Sequence, residues 1–284
     1  MQNINSAREY NEFMTENLPT GKAHISYSEL SCWMECSWRH KLQHVAKINL
    51  SNPSIHLVFG TAAHMAVQNL LQTGISTTDD AREYIVKELE KYKDIPELAT
   101  IDVDILVKSI QNILDDIPVF FNENFPGWEL VSIEESLYEE VQQFFADHGE
   151  LFFKGFIDVI IKVPGKKDGT FFYWILDLKT ANRPWSLDKI KDSRVRMQLV
   201  LYKKFWTTKH DIPLKLVRCG FVTLLKAGKP GKLCKLIPIS VGEKSAEKSL
   251  KILNNSLSSI KRGMAIKNRN ACKWCDYKDT EHCK

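Results

Sequence analysis

No stretch of the 284-residue chain stays apolar for the roughly 18 residues that a membrane-spanning helix needs, so no bilayer-embedded segment is expected. The opening residues, MQNINSAREYNEF, are polar and lack the apolar core of a secretory signal, which points to a cytoplasmic protein without a membrane partner. Internal repeats and low-complexity tracts are missing too, which excludes solenoid arrays. No charge of one sign dominates: the formal net charge is +4, and an anionic partner would have to be held by local clustering of Lys and Arg. The cysteine count is odd, at seven, and in a reducing compartment that argues against a disulfide framework.

What is present is ordinary for a globular protein: 44% apolar and 26% charged residues, in a length that suits one large domain or one domain with an insertion. Residues 1–25 read as a lead-in with a short helical piece. From Ser26 the sequence SYSELSCWMECSWRHKLQHV has helical spacing, with Ser28 as the expected N-cap. A break at Pro53 is followed by a second helix, FGTAAHMAVQNLLQTG, ended by Gly74. Residues 75–125 read as an insertion of two or three helices punctuated by Pro96 and Pro118, and closed by Pro126-Gly127. Leu130–Val141, Leu151–Val163 and Phe171–Leu178 read as strands, residues 192–209 as a helix, Leu216–Leu225 and Leu233–Ile239 as strands, and 243–262 as a helix. This order describes an α/β sandwich with a mixed sheet.

Two charged interruptions stand out. Asp158 breaks the apolar strand FFKGFIDVII and Asp177 breaks FFYWIL. Charges inside buried strands are costly unless paired or metal-bound. Adjacent antiparallel strands would bring the two carboxylates together, and Lys179, two residues after Asp177, shares its face. Alone, Asp-x-Lys is most often a surface ion pair; here the setting makes it a candidate site. Two carboxylates suit a hard cation, Mg²⁺ or Mn²⁺, and a neighbouring lysine can position or deprotonate a water. His64 lies near the start of the second helix, where a lone histidine is usually structural. Gln198 and Tyr202, at i and i+4, share one helix face.

In order along the chain these segments are Gly60–His64 (G-x-x-x-H), Gly155–Asp158 (G-x-I-D), Asp177–Thr180 (D-x-K-T) and Gln198–Tyr202 (Q-x-x-x-Y). Their ordered co-occurrence resembles the RecB/AddB-like branch of the PD-(D/E)xK nuclease superfamily, over about residues 26–284 apart from 75–125. The resemblance implies a restriction-endonuclease-like core. It implies that Asp158, Asp177, His64 and the carbonyl of Leu178 bind the metal. Lys179 would activate or orient water, and Gln198 and Tyr202 would steady Lys179 or the nucleic acid strand.

The cysteines fall into two kinds. Cys219 and Cys234 lie in apolar strands and read as buried small hydrophobes. Cys272 and Cys275 form a C-x-x-C, and Cys283 follows after seven residues; such a group can ligate zinc or iron–sulfur. A fourth ligand must come from elsewhere, with Cys36 or Cys32 available. The segment from Ser26 to Cys36 resembles the early cysteine segment of the cluster-bearing branch, which includes the CRISPR adaptation nucleases. That resemblance implies a [4Fe–4S] cluster on Cys36, Cys272, Cys275 and Cys283, with Cys32 as a spectator. The gap before Cys283 is wider than in that pattern and His282 stands beside it, so zinc is the alternative.

Between Asp177 and Gln198 lies a basic stretch carrying Arg183, Lys189, Lys191, Arg194 and Arg196 around Trp185. The indole either stacks on a base of a single strand or anchors a solvated loop in the core. No base-reading motif is present. The expectation is therefore one nuclease domain over 26–284, with a cluster-bound tail at 263–284. The resemblance implies a Mg²⁺- or Mn²⁺-dependent deoxyribonuclease, an exonuclease acting on single strands or DNA ends, and a helicase or recombinase partner would fit it. A non-catalytic DNA-end-binding or scaffold module of the same fold, and an RNA nuclease, are the other readings.

Overall fold

In the computed structural model, which describes residues 17–50, 53–145 and 149–284, the apolar runs in the middle of the chain form a six-stranded mixed sheet. The strands are β1 (His24–Ser26), β2 (Glu129–Glu140), β3 (Phe152–Pro164), β4 (Phe171–Ala181), β5 (Val217–Leu225) and β6 (Cys234–Ile239). Their order is β1-β3-β4-β5-β6, with β2 also paired to β3. β3 and β4 form an antiparallel hairpin, as do β5 and β6, whereas β4 and β5 run parallel. A parallel pair cannot be joined by a tight turn, so helical residues fill the crossover between them.

The chain packs as two compact units, one made of residues 1–51, 137–155 and 247–284, the other of 52–136 and 156–246. Of the expected lead-in, residues 1–16 lie outside the described residues, and His24–Ser26 form a strand, so the helix starts after Ser26.

The larger unit contains β4, β5, β6 and the second part of β3. Its helices are α3 (Ile55–Thr73), α4 (Asp79–Glu90), α5 (Pro96–Ala99), α6 (Val103–Asn124), α7 (Leu187–Lys191) and α8 (Ser193–Lys209). Side chains alternate across each strand. Val159, Ile161, Leu176, Leu178, Val222 and Leu224 face a core filled by α3, α4 and α6. The opposite face of β4 and β5 packs on α8, where Tyr173 meets Trp206 edge-on and the Cys219 thiol lies 3.8 Å from the Leu199 carbonyl. Burial of each large apolar side chain contributes about 1.5–3 kcal/mol before entropy is counted. α3 ends where Gly74 takes a left-handed turn at φ 73°, as its sequence predicts. Pro118 does not end a helix as expected. It sits on the exposed side of α6, and the buried Ile113, Ile117, Phe120 and Phe121 around it hold the helix on course.

The smaller unit opens with β1 and then α1 (Tyr27–Glu35), whose N-cap is Ser26 rather than Ser28. Residues 24–26 are extended, and Ser26 Oγ accepts from Glu29 N at 3.2 Å. The expected single helix is broken at Cys36, which is extended, and resumes in α2 (Ser37–His40). The tail, which shows no period in sequence, folds through side-chain bonds. Trp38 Nε1 donates to the His282 carbonyl at 3.0 Å, and Ile266 N donates to Ser37 Oγ at 2.8 Å. Leu42, Tyr277 and Cys283 form a small apolar core, and Arg269–Trp274 make a 3-10 turn.

A buried ionisable group also sits in this unit. Glu29, 1% exposed, bonds His40 Nε2 at 3.1 Å, with His44 Nδ1 at 3.9 Å and Lys22 Nζ at 3.5 Å. Burial raises the Glu29 carboxyl, but the His40 bond and the charges of His44 and Lys22 bring it below its usual value. Burial outweighs Glu29 at His44 and depresses it to about 4. A histidine neutral in the fold and titrating near 6.5 when unfolded contributes stability that is complete above pH 6.5 and is lost as pH falls toward about 4. Glu29 acts in the same direction lower down, its contribution present above 4.5 and lost below it. Denaturant titrations across this range should show stability falling with acid. His44→Gln should flatten the upper part of that fall, and an unchanged pH profile would refute the assignment.

Candidate active site

The hairpin of β3 and β4 creates the site. Its ladder ends at the pair Val159↔Leu176, and the next residues on each strand are Asp158 and Asp177. Both are nearly buried. Beyond the ladder the Leu178 N–H donates to Asp158 Oδ2 at 2.6 Å, so a carboxylate satisfies this backbone donor. Lys179, on the same face as Asp177, brings Nζ to 2.6 Å from Asp177 Oδ2. From α8, Gln198 Nε2 donates to Asp177 Oδ1 at 2.7 Å and lies 3.3 Å from the Tyr202 hydroxyl one turn on. From α3, His64 Nδ1 stands 3.7 Å from Asp158 Oδ1. The helix comes close to β4 because of Gly60: a Cβ there would lie 3.3 Å from Thr180 Oγ1. All four sequence motifs thus meet at one end of the hairpin.

The electrostatics follow from burial and mutual proximity. Burial pushes Asp177 upward, the Lys179 ammonium pulls it back, and Asp158 raises it again, so its net shift is upward. Burial would lower Lys179, but the charge of Asp177 holds it above its ordinary value as an ammonium. Burial likewise opposes the charge on His64, and the bond and charge of Asp158 more than compensate. Burial and the Asp177 charge push the Tyr202 phenol up to about 12.

Among the described residues, no three His, Cys, Asp or Glu side chains are disposed as a ready metal shell. At the carboxylates the Lys179 ammonium lies against Asp177. The donor set still fits a hard divalent cation. It offers two carboxylates and an imidazole, and Asp177 Oδ2 is buried without a hydrogen-bond partner beyond that ion contact.

The smaller unit brings the four selected cysteines to one small cavity, lined by Cys36, Cys272, Cys275 and Cys283. All seven cysteines are free. Cys36 Sγ accepts from Asn268 N at 3.4 Å, and Cys272 Sγ lies 3.9 Å from the Asn268 carbonyl. The donors, four thiols, suit iron–sulfur or zinc. Cys32 is outside this cavity, buried against Arg39 Nε at 3.4 Å, and His282 does not line it either.

The basic stretch is less uniform than its sequence suggests. Arg183 is exposed and Arg196 half-buried. Arg194 bonds Asp192, the N-cap of α8, at 3.1 Å. Trp185 is half-buried, with its ring 5.1 Å from that of Phe221, so the anchored reading of this indole describes its position. Sequence reasoning did not reach Phe221, and it named Lys189 only as one of the basic residues around Trp185; Lys189 Nζ lies 4.2 Å from the Trp185 ring centre. Among the described residues, no helix is long and apolar enough to cross a membrane.

A mixed sheet carrying paired carboxylates and a lysine at a hairpin's divergent end defines a nuclease class. The family model of the PD-(D/E)XK nuclease superfamily matches residues 24–280, and the chain belongs to that superfamily. Among solved structures, it is similar to a protein from Eubacterium rectale described as a "putative exonuclease". The two share 13% identity over 98% of this chain and 94% of that one, with a TM-score of 0.52, a likeness of fold. No curated protein matches the sequence.

The bond between Asp158 and Leu178 N yields a prediction about stability. Without added metal, Asp158→Asn keeps an acceptor for that N–H and removes a like charge beside Asp177, so it should be at least as stable as wild type. Asp158→Ala leaves the donor unpaired and should be less stable than the Asn variant by about 1–3 kcal/mol. Chemical denaturation measures the difference; equal stability of the two variants would remove the bond's assigned role.

Proposed function

We propose that the chain is a Mg²⁺- or Mn²⁺-dependent deoxyribonuclease that hydrolyses phosphodiesters in single strands or at DNA ends. The observation that carries this reading is the convergence of Asp158, Asp177, Lys179, Gln198 and His64 at one hairpin end. The name of the similar solved structure supports exonucleolytic action. Asp158 and Asp177 would hold the cation, with His64 and the Leu178 carbonyl completing its shell. When bound, that cation lowers the pKa of a water and stabilises charge on the phosphate. Asp158, by accepting the Leu178 N–H, fixes the backbone of residue 178. Gln198 holds Asp177 in place through Oδ1. Lys179, kept as an ammonium, orients the attacking water and stabilises the developing negative charge. Tyr202 keeps its proton and supports Gln198.

End-labelled single- and double-stranded DNA, incubated with Mg²⁺ or Mn²⁺, tests the reading. The wild type should cleave. Asp177→Ala should be inactive, and Lys179→Ala should lose roughly 10²–10⁴-fold in rate while binding DNA nearly as well. An active Lys179→Ala would end its assignment. A wild type that binds without cleaving would move the protein to the scaffold class, and cleavage confined to RNA would change the substrate.

We also propose that Cys36, Cys272, Cys275 and Cys283 hold a [4Fe–4S] cluster, zinc being the other metal that such donors take. Support comes from the shared cavity and from the N–H of Asn268 aimed at Cys36 Sγ at 3.4 Å. Anaerobically purified protein should contain iron and acid-labile sulfide. Cys36→Ala should lose the metal and Cys32→Ala should retain it. Zinc in place of iron would replace the cluster, and equal retention by both variants would displace Cys36.

A further inference from the structure

Phe221 is the direct register partner of Asp177 across the parallel β4–β5 pair, so their side chains leave the same face of the sheet. Trp185 packs on Phe221 with ring centres 5.1 Å apart. Lys189, in α7 four residues after Trp185, lays its ammonium 4.2 Å from the indole centre. A chain of contacts therefore runs from the proposed metal-binding carboxylate through two aromatic rings to a second, separate cation. Its first cation, Lys179, is tied to Asp177 at 2.6 Å. Burial, and to a smaller degree the charge of Lys179, lower Lys189. Lys189 is exposed, and a polyanionic backbone passing the site would be attracted by its ammonium.

We propose that Lys189 is a nucleic-acid-binding residue of this site, taking a backbone phosphate that flanks the scissile one, and that Trp185 is the positioning residue that holds its ammonium there. The proposal rests on the nuclease reading for the identity of the ligand. It assigns the indole a different task from base stacking. Its ring is engaged by Phe221 and by the lysine, and its energetic role is to orient a flexible four-carbon side chain whose ordering would otherwise cost entropy on binding. Arg194, occupied by Asp192, is a weaker candidate for the same task.

The test separates binding from hydrolysis. Fluorescence anisotropy with a labelled single-stranded oligonucleotide, in EDTA so that no cleavage occurs, is repeated over a series of salt concentrations. Loss of one phosphate contact should reduce the slope of log K against log [salt] by about 0.7 in magnitude. Lys189→Ala should show that reduction, Lys189→Arg should restore the wild-type slope, and Trp185→Ala should weaken binding in the same sense as Lys189→Ala. A merely structural role would lower the fraction of active protein without changing the slope. A wild-type slope in Lys189→Ala, or absence of oligonucleotide binding by the wild type, would overturn the proposal. Cleavage with Mg²⁺ or Mn²⁺ is scored separately, so a cleaving enzyme with an unchanged slope refutes Lys189 alone, and a reduced slope in a protein that does not cleave leaves the subsite standing without the nuclease reading.

Discussion

Asp177 is a carboxylate in the middle of an apolar strand, and much of the larger unit's chemistry is arranged around its burial. An isolated charge at such depth costs several kcal/mol, and the protein meets that cost with an ion pair from Lys179 on the same strand and an amide from Gln198 on α8. Both partners depend on position. Lys179 requires β4 to remain extended two residues past Asp177, and Gln198 requires the crossover to deliver α8 onto this face. The same constraint explains why the β3–β4 ladder ends where it does. With Asp158 as the neighbouring residue on β3, a second carboxylate takes over a backbone donor that continued strand pairing would have used.

A site of this kind is held together by satisfied polar groups in the free protein and remains chemically unsettled. Asp177 is raised in pKa by its surroundings, and its Oδ2 faces the Lys179 ammonium, which is held as a cation against it. Perturbed groups are where functional chemistry concentrates. The smaller unit shows a second solution to the same difficulty. There Glu29 is buried with His40, His44 and Lys22 around it. Burial of a charge alone does not mark an active site; Asp177 differs in having a second carboxylate, Asp158, beside it at the open end of a strand pair.

Much of the sheet and of the site was legible because it rests on local rules. The central strands are continuous apolar runs, buried on both faces, and an acidic residue inside one is visible as an interruption. The ordered motifs around Gly60, Asp158, Asp177 and Gln198 placed the right side chains together, since each lies at a fixed spot on a regular element. Features governed by long-range contact were not legible. The N-cap at Ser26 depends on β1, whose three residues gain their conformation only by pairing with β3. Pro118 looks like a helix end until the buried residues around it are known. The break at Cys36 and the turn at Arg269–Trp274 answer to each other across the chain, and neither has a periodic signature. Lys189 was one of many basic residues until the ring of Trp185 singled it out.

Cys36 and Asn268 bond directly although 232 residues separate them, and the unit that contains them is assembled from three distant pieces of chain. During synthesis the larger unit has all of its residues once position 246 has emerged, while the smaller one must wait for the last of its segments. At about 5–20 residues per second this is an interval of several seconds in which the N-terminal helices, with Trp38 and Leu42, have no tail to cover them. The order of folding is thereby set by threading. The unit carrying the carboxylates can form first, and the unit carrying the thiols closes only when the chain's final turn returns to its beginning.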